Sequence, residues 1–565
     1  MKTACGAAIV LAGLAAAATA TQCRVLPGDA NWPDAASWAG LNRTIRGRLI
    51  ATVPIGHVCH DPTYDAAACA TLQQTWTQPM THLESSSSIM QTFVANQSCD
   101  PFTPQSTPCQ LGNYVQYAVD VSSAADVQAA LQFAKKNKVR VVVRNTGHDY
   151  FGRSTGAGAL AIWTHNLNGI DFKPWSSASF TGTAMKIGAG VMGYQAAQAA
   201  DAAGVVAVTG ECPTVGLAGF TMGAGHSALS TSFGMGADQV LEYEVVTSNA
   251  QRVKASPTEN SELFWALSGG GPGTYGVVVS MTVKTYPGLK IGGASLQMSA
   301  AYTTPAKFNE AVAAMYALLP SMTDLGADVI FIATNGLLQI SPVTVYNSTG
   351  EYVEKTVLAP FTAKLNALGI PFAAKYSTLS YLDHYAAYLG PLPNGNFAVE
   401  SYQFGSRLIP RSVLVNNNDG LQAVLQNLTS QGVILAGSAA DYSAPAGGRV
   451  VANAVLPQWR DTTIQLQLVT RWDSSPAARP DMVAVQKRIT DEFVPQLRAV
   501  TPGSGTYVNE ADLNQPNWKE EFFGVNYDRL LSVKQKWDPT SMFYIVKGVG
   551  SDAWTVDSDG RMCPT

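Results

Sequence analysis

Charged residues are scarce in this sequence. Lysine, arginine, aspartate and glutamate make up 13% of the 565 residues, well below the ~25% that is usual in soluble domains. Because 46% of the residues are hydrophobic, this scarcity excludes a disordered chain, which would be charged and poor in aliphatic residues. With 36 basic against 40 acidic residues, the chain also lacks the basic surplus that nucleic-acid binding requires. We therefore expect a folded protein with a surface of low charge.

Long apolar runs are absent after the first 20 residues, so no later segment reaches the ~20 apolar residues that a membrane-spanning helix needs. The early apolar run, residues 7–18, follows Lys2 and leads into Ala18-Thr19-Ala20. This pattern is typical of a secretory signal peptide, which we predict for residues 1–20. Secretion would also expose the N-x-S/T sequons to glycosylation. The predicted glycosylation sites are Asn42, Asn96, Asn347 and Asn427.

Eight cysteines are present, and Cys5 would leave with the signal peptide. In an oxidising compartment, the odd number that remains leaves one cysteine without a partner. Cys212 stands alone in a glycine-rich stretch, either as a small buried thiol or as a residue with a chemical role. The other six lie near the two ends of the mature chain. One of their possible pairings joins Cys59 to Cys69, Cys99 to Cys109 and Cys23 to Cys563.

The first part of the mature chain has two different patterns. Residues 21–110 are rich in proline, serine and cysteine, which predicts an N-terminal segment held by disulfides. An alternating strand at 114–121 then precedes an amphipathic helix, where Ser123 and Asp126 fit a capping box. A buried strand at 139–143 follows the helix. This order predicts two parallel strands joined by a crossover.

The composition shifts again near residue 290. Residues 111–289 form one unit, and residues 290–500 show alternating strands and long helical patterns that predict a separate α+β unit. The helical patterns cover residues 305–319, 353–368 and 481–500. Residues 501–565 return to dense aromatic and glycine content. The predicted fold class is therefore α+β.

Several glycine-rich loops are candidates for binding phosphate. Gly271-Pro-Gly-Thr-Tyr-Gly276 matches G-x-G-x-x-G, but a helix-like segment precedes it and a strand follows. The dinucleotide-binding fingerprint requires the opposite order. The same motif fails at Gly223-Ala-Gly225, because residues 230–236 do not continue as a helix. Consecutive N–H groups in a tight turn can still bind an anion. Arg144-Asn-Thr-Gly147 is such a candidate, with an ordinary tight turn as the alternative.

Ordered motifs give the sequence a clear likeness to one family. They are Arg144-Asn-Thr-Gly-His148, Gly210-Glu-Cys212-Pro-Thr-Val-Gly216-Leu-Ala-Gly219, Glu262-Leu-Phe-Trp-Ala-Leu-Ser-Gly-Gly-Gly271, and Asn526-Tyr527 followed by Asp538-Pro. Over nearly all of the mature chain, the sequence resembles the berberine-bridge-enzyme-like FAD-linked oxidases of the vanillyl-alcohol-oxidase superfamily. Three further motifs resemble its secreted fungal isoamyl-alcohol-oxidase-like branch: Val58-Cys59-His60, Gly405-Ser-Arg-Leu-Ile-Pro410 and Gly548-Val-Gly-Ser-Asp-x-Trp554.

The resemblance implies a fold and a cofactor. Residues 111–289 would form a PCMH-type FAD-binding domain of two α+β subdomains, and 290–500 an α+β substrate domain with an antiparallel sheet. Residues 501–565 would complete the FAD site. His148 and Cys212 would attach FAD bicovalently, which would explain the seventh cysteine. The other FAD-binding residues implied are Arg144, Asn145, Thr146, Gly147, Gly216, Gly219, Gly223, Gly225, His226, Gly270, Gly271, Val277, Asn526 and Tyr527.

The resemblance also implies an oxidase. Hydride would pass to FAD from a primary or secondary alcohol, which could be an intermediate of secondary metabolism. Dioxygen would then be reduced to hydrogen peroxide. The alternatives are an oxidative cyclase or desaturase of natural-product biosynthesis and a non-catalytic flavin-holding glycoprotein. The resemblance implies a secreted monomer whose partners are a small-molecule substrate and dioxygen. Nucleic acid, metal and membrane insertion are not expected. Candidate catalytic residues are Tyr402 and Tyr507 as bases and Asn453 as an orienting amide, each alternatively an ordinary structural residue.

Overall fold

The computed structural model describes residues 23–443, 452–473 and 475–565. The predicted signal peptide, with Cys5, lies outside these residues. Among the helices of the described chain, none is both long and apolar enough to cross a membrane. Helices combine with mostly antiparallel sheets, so the predicted α+β class is confirmed.

Short helices and disulfides build the N-terminal segment. The helices are Ala35–Thr44, Ala66–Thr75, Pro79–Leu83 and Thr92–Ala95. The disulfides are the ones that the sequence suggested: Cys23–Cys563, Cys59–Cys69 and Cys99–Cys109. Among the described cysteines, Cys212 alone is free of a disulfide.

A four-stranded mixed sheet comes next. Its spatial order is Leu49–Ala51, Tyr117–Asp120, Leu160–Trp163 and Val141–Arg144. The last three strands run parallel, as the crossover pattern predicted. The two strands that the crossover joins are not neighbours, however, because Leu160–Trp163 lies between them.

The crossover helix is Ala124–Asn137. Its buried side chains recur at helical spacing and face the core: Val127, Ala130, Leu131 and Ala134. The capping box forms only in part. Asp126 Oδ2 accepts from the Ser122 N–H at 3.0 Å, whereas the Ser123 side chain makes no cap.

A five-stranded antiparallel sheet completes residues 111–289. Its spatial order is Ile170–Ser176, Thr181–Gly188, Val277–Lys284, Val240–Val246 and Arg252–Ala255. All eight residues of the central strand are buried. The helices around this sheet are Gly193–Ala202, Leu217–Met222 and Ser261–Leu267. A single helical turn, Ser230–Phe233, forms where the sequence predicted none, and it ends at Gly234.

The next part of the chain holds a seven-stranded sheet with antiparallel neighbours throughout. Its spatial order is Phe372–Leu379, Ile291–Ser299, Leu337–Tyr346, Ala327–Ala333, Ile434–Ala439, Thr462–Arg471 and Tyr402–Pro410. Side chains alternate between the two faces of a strand. Leu466 and Leu468 therefore join the hydrophobic core, while Gln465 and Gln467 line a cavity on the other face.

Helices cover the core face of this sheet. They are Pro305–Asp324, Ala359–Leu368, Arg411–Asn416, Asn418–Ser430, Arg479–Arg488 and Val494–Val500. The helix Tyr381–Leu389 lies on the other face, where its buried residues pack against Val206 and Phe233 and Leu389 lines the cavity. Two of the long helices predicted from the sequence are interrupted. The wider turns Val353–Val357 and Ile489–Phe493 are π-helical, with i→i+5 hydrogen bonds.

The C-terminal segment packs back onto the five-stranded sheet. It contains the helices Trp518–Phe523 and Tyr527–Trp537 and a hairpin of Trp554–Val556 with Met562–Pro564. Side chains from this segment share one hydrophobic cluster with residues of the first half of the chain. Its members include Tyr507, Phe522, Phe523 and Leu530 together with Phe220 and Tyr243. After the seven-stranded sheet, the chain therefore returns to its first half, and Tyr507 of this segment also lines the cavity.

Candidate active site

A cavity of about 410 Å³ lies between the first half of the chain and the inner face of the seven-stranded sheet. The loops at 145–150 and 210–216 form one side of it. Strand residues such as Gln339, Gln465 and Gln467 form the other side. The segment 507–510 adds Tyr507, Asn509 and Glu510. Three parts of the chain that are distant in sequence therefore meet at one site.

His148 and Cys212 meet the same hydroxyl group in the wall of this cavity. The Thr214 Oγ1 lies 2.8 Å from His148 Nε2 and 3.6 Å from Cys212 Sγ. Burial, together with the nearby charges of His82 and Arg144, lowers the pKa of His148 to about 4. Burial also raises the pKa of the Cys212 thiol. The imidazole is therefore neutral at physiological pH and keeps a lone pair available.

The turn after the strand Val141–Arg144 presents unpaired backbone donors to the cavity. In the described chain, no acceptor takes the N–H groups of Thr146, Gly147 or His148. Gly147 has a φ of +87°, which a side chain would strain. Such a run of N–H groups is an anion site of the kind that the FAD pyrophosphate needs.

Asn145 supports the same fit. Its Nδ2 donates to the Ala189 carbonyl at 2.6 Å, while its buried Oδ1 has no hydrogen-bond partner in the described residues. Gly216 approaches this side chain so closely that a Cβ there would lie 2.1 Å from Nδ2. A buried amide oxygen without a partner is costly unless a ligand supplies a donor. The residues around this turn therefore fit FAD.

Two carboxylates enclose a histidine further along the cavity. His226 Nδ1 lies 3.2 Å from Glu211 Oε1, and its Nε2 lies 3.3 Å from Glu510 Oε1. The Ser438 hydroxyl donates to Glu211 at 2.7 Å, and the Gln467 amide donates to Glu510. Burial opposes protonation of His226, but the carboxylates prevail and raise its pKa to about 10. The cluster therefore holds one cation between two anions.

The two tyrosines proposed as bases both line the cavity. Burial, with the charge of Glu510, raises the pKa of Tyr507 well above its usual value, and its hydroxyl accepts from Asn509 Nδ2 at 3.0 Å. A phenol of this kind is a poor proton acceptor. Tyr402 lies among aromatic rings, with its ring centre 5.4 Å from that of Phe397.

Asn453, the predicted orienting amide, is not at the cavity. Its Nδ2 donates to Asp238 Oδ1 at 2.7 Å, beside the ion pair between Asp238 and Arg460. This hydrogen bond gives Asn453 a structural role.

The predicted FAD-binding residues divide into two groups. Those that line the cavity are Asn145, Thr146, Gly147, His148, Cys212, Gly216, Gly219 and His226. The structure does not bring the others to the cavity wall: Arg144, Gly223, Gly225, Gly270, Gly271, Val277, Asn526 and Tyr527. Several of these support residues that do line it. Arg144, for example, packs under Gly147, where a Cβ would lie 2.7 Å from the guanidinium nitrogens.

The sequence did not predict a role for Glu211 or Glu510, although Glu211 stands inside one of the family motifs. Glu211 directly precedes Cys212, and Glu510 ends the stretch Gly505-Thr-Tyr-Val-Asn-Glu510. Its position next to Cys212, which was predicted to bind FAD, is the signal that could have identified Glu211. For Glu510, the partner His226 is 284 residues away, so only the fold reveals the pairing.

Comparisons with known proteins identify the family of this chain. A family model described as FAD binding domain matches residues 115–256, and one described as berberine and berberine like matches residues 506–550. The chain is 48% identical to the FAD-linked oxidoreductase ZEB1 of Gibberella zeae, over 96% of this chain and 95% of that protein. It is 40% identical to the bifunctional decalin synthase calF of Penicillium decumbens, over 96% and 95% of the two chains.

A solved structure is also similar over nearly the whole length. The crystal structure of the VAO-type flavoprotein MtVAO615 from Myceliophthora thermophila C1 superposes with a TM-score of 0.92 at 42% identity. The match covers 96% of this chain and 100% of that one. With the cavity, the FAD-binding match and the berberine-like C-terminal segment taken together, the chain belongs to the FAD-linked oxidoreductases of the vanillyl-alcohol-oxidase type.

Proposed function

We propose that this enzyme is a secreted oxidase that removes hydride from the carbinol carbon of a primary or secondary alcohol. The observation that carries the proposal is the shared cavity. The cluster of Glu211, His226 and Glu510 opens onto the same space as His148 and Cys212. An alcohol bound there has a carboxylate available for its hydroxyl proton beside the residues that would hold FAD.

FAD, when bound, supplies the hydride acceptor, and dioxygen then takes the electrons to give hydrogen peroxide. We infer that His148 and Cys212 hold it covalently. Both side chains face the cavity, and both meet Thr214 Oγ1. The neutral imidazole of His148 is the nucleophilic form. Cys212 must lose its proton to react, because the thiolate is the nucleophile.

Glu510 is the proton acceptor in this proposal. Its charge contributes to the raised pKa values of Cys212 and Tyr150. The carboxylate therefore lies close enough to act on residues around the FAD site. His226 and the Gln467 amide donate to Glu510 and fix its orientation. Glu211 balances the charge of His226 from the other side. The proton therefore moves to a carboxylate that is already held in place.

The Gln465 amide is suited to orient the substrate oxygen. It is buried and lines the cavity, and its Nε2 has no hydrogen-bond partner in the described residues. An amide N–H that would otherwise stay unpaired gains a partner when a hydroxyl oxygen binds. This role replaces the one that the sequence suggested for Asn453.

Secretion completes the proposal. Three disulfides form in the described chain, as expected of a protein that folds in an oxidising compartment. The side chains of Asn96, Asn347 and Asn427 lie on exposed residues and suit glycosylation. Asn42 is half-buried, and its Oδ1 accepts from the Leu49 N–H at 3.0 Å. We propose that the mature enzyme is a monomer.

A second candidate is an oxidative cyclase. The 40% identity to calF, which is named a bifunctional decalin synthase, favours it. The same hydride removal would then trigger ring closure in a substrate that carries a suitably placed second group.

A panel of alcohols and of precursors that can close a ring distinguishes these functions. Anaerobic mixing reports hydride transfer as bleaching of the flavin absorbance, and aerobic turnover reports hydrogen peroxide. A product that is lighter than the substrate by two hydrogens and carries a new carbonyl group supports the oxidase. A product with a newly closed ring supports the cyclase. Bleaching by dithionite but by no substrate of the panel would favour the non-catalytic alternative.

A further inference from the structure

Glu400 lies in the cavity wall, in the loop before the strand Tyr402–Pro410. It is 5% exposed and has a φ of +59°, a left-handed conformation that is rare for residues other than glycine. Its Oε1 is fully enclosed and has no hydrogen-bond partner among the described residues. A strained backbone beneath an unpaired buried carboxyl group is typical of a functional position rather than of a packing residue.

The surroundings of Glu400 favour its neutral form. Burial, together with the charge of Asp100, raises the pKa of Glu400 well above its usual value. Tyr114 lies close enough for Glu400 to raise the pKa of its phenol. Asp100 itself faces His60 and Arg479. In the described chain Glu400 makes no ion pair, so nothing offsets the cost of charging it, and its neutral form offers an O–H that needs an acceptor.

Aromatic rings line the cavity near Glu400. Phe397, Tyr402 and Phe404 follow one another with ring centres 5.4 to 6.4 Å apart. Tyr150 stacks on Phe404 with the ring centres 4.1 Å apart and an interplanar angle of 12°. Such a wall favours a flat aromatic or conjugated ligand.

We propose that Glu400 determines substrate specificity by donating a hydrogen bond to an acceptor oxygen, such as a carbonyl or ether oxygen, of an aromatic or conjugated alcohol. That the substrate is an alcohol rests on the proposed function, whereas its acceptor oxygen and its ring are inferred from Glu400 and the neighbouring aromatic residues. The cavity thus treats the two ends of the substrate differently. Glu510 accepts a proton from the hydroxyl group, and Glu400 donates a hydrogen bond to the acceptor.

The test measures binding rather than turnover. Acetophenone and α-methylstyrene have nearly the same shape, but only acetophenone carries an acceptor oxygen, and neither is an alcohol. Each is titrated into the FAD-loaded enzyme, and the dissociation constant is taken from the change in flavin absorbance. We expect the wild type to bind acetophenone about tenfold more tightly, since one hydrogen bond is worth about that much.

Two variants separate hydrogen bonding from packing. Glu400→Gln keeps a neutral donor and should retain most of the tenfold preference. Glu400→Leu has no donor and should bind both ligands equally. As the pH rises through the raised pKa of Glu400, the wild type should lose its preference while Glu400→Gln keeps it. Flavin content and circular dichroism check that each variant is folded, and if Glu400→Leu fails to fold, the pH comparison decides.

A preference that is unchanged in Glu400→Leu or unchanged with pH would overturn the proposal. Failure of the wild type to bind acetophenone would overturn it too. Because neither ligand is turned over, these results are independent of whether the enzyme is an alcohol oxidase. If the oxidase proposal fails while the tenfold preference holds, the binding site stands without the assigned reaction.

Discussion

His226 Nε2 lies 3.3 Å from both carboxylate oxygens of Glu510, a residue 284 positions further along the chain. The contact joins the first half of the protein to the C-terminal segment at the cavity wall. Because Glu211 meets the other ring nitrogen, the imidazole is held at both ends. This arrangement makes Glu510 a fixed, charged group, and it leads to predictions about rate and pH.

Glu510→Gln should slow hydride transfer by about 10² to 10⁴-fold, because general-base catalysis by a positioned side chain is worth that much. The amide keeps the size of the side chain but cannot accept the hydroxyl proton. Stopped-flow measurement of anaerobic flavin reduction gives the rate for the chemical step. Glu520→Gln, an exposed carboxylate on the helix Trp518–Phe523, is the control and should react at the wild-type rate. A wild-type rate in Glu510→Gln would show that another group takes the proton.

The pKa of His226 predicts a pH-dependent stability. It is about 10 in the folded protein against an ordinary value of 6.5. The folded state thus binds the proton more tightly, and the cation contributes fully below pH 6.5. That contribution is lost as the pH rises from about 6.5 through about 10, at up to ~1.4 kcal/mol per pH unit.

His226→Gln lacks this contribution. The free energy of unfolding of the wild type, measured with urea at several pH values, should therefore exceed that of the variant by an amount that shrinks across the same range. A difference that does not change with pH contradicts a protonated His226.

Covalent attachment of FAD predicts the behaviour of denatured protein. His148→Ala and Cys212→Ala should each retain FAD through the remaining bond, and the double variant should release it. Acid precipitation and the mass of the intact denatured chain report the outcome. Wild-type protein that turns colourless and leaves yellow FAD in the supernatant contradicts both bonds. Loss of FAD from His148→Ala alone would mean that Cys212 makes no bond to FAD, and loss from Cys212→Ala alone would mean that His148 makes none.

How far the site could be predicted depends on how local each signal is. His148 and Cys212 stand in short motifs, so the sequence identifies them without the fold. Glu510 becomes notable only because the chain returns to His226. Glu400 is buried within reach of the charge of Asp100, which belongs to the N-terminal segment, and no local pattern anticipates that. Asn453 is the opposite case, since its motif suggested the cavity whereas its side chain donates to Asp238 away from the cavity lining.

The same distinction applies to the fold. The crossover helix Ala124–Asn137 follows from its apolar spacing and was predicted almost to the residue. The position of Leu160–Trp163 between the two strands joined by that helix depends on pairing across the sheet, which periodicity does not encode. The turns Val353–Val357 and Ile489–Phe493 have i→i+5 hydrogen bonds, which the apolar pattern of the predicted helices did not reveal.

A buried ion pair explains a motif of the C-terminal segment. Lys534 is 4% exposed, and its Nζ donates to Asp538 Oδ2 at 2.6 Å, to the Thr274 carbonyl at 2.7 Å and to the Phe543 carbonyl at 2.8 Å. Asp538 in turn accepts from the Phe543 N–H at 2.9 Å. The pair thus ties the Asp538-Pro motif to the glycine loop at 271–276, part of which lines the cavity.

Lys534→Met should therefore destabilise the protein by about 3 to 5 kcal/mol, because it leaves Asp538 buried without its partner. Lys536→Met is the matched control on the same helix, where the lysine side chain is exposed, and should change stability by less than about 0.5 kcal/mol. Urea unfolding of the FAD-loaded forms measures both. Adding Asp538→Asn to Lys534→Met should recover part of the loss, since the unpaired charge is removed. A double variant less stable than Lys534→Met would show that the hydrogen bonds of Asp538, rather than its charge, hold the loop.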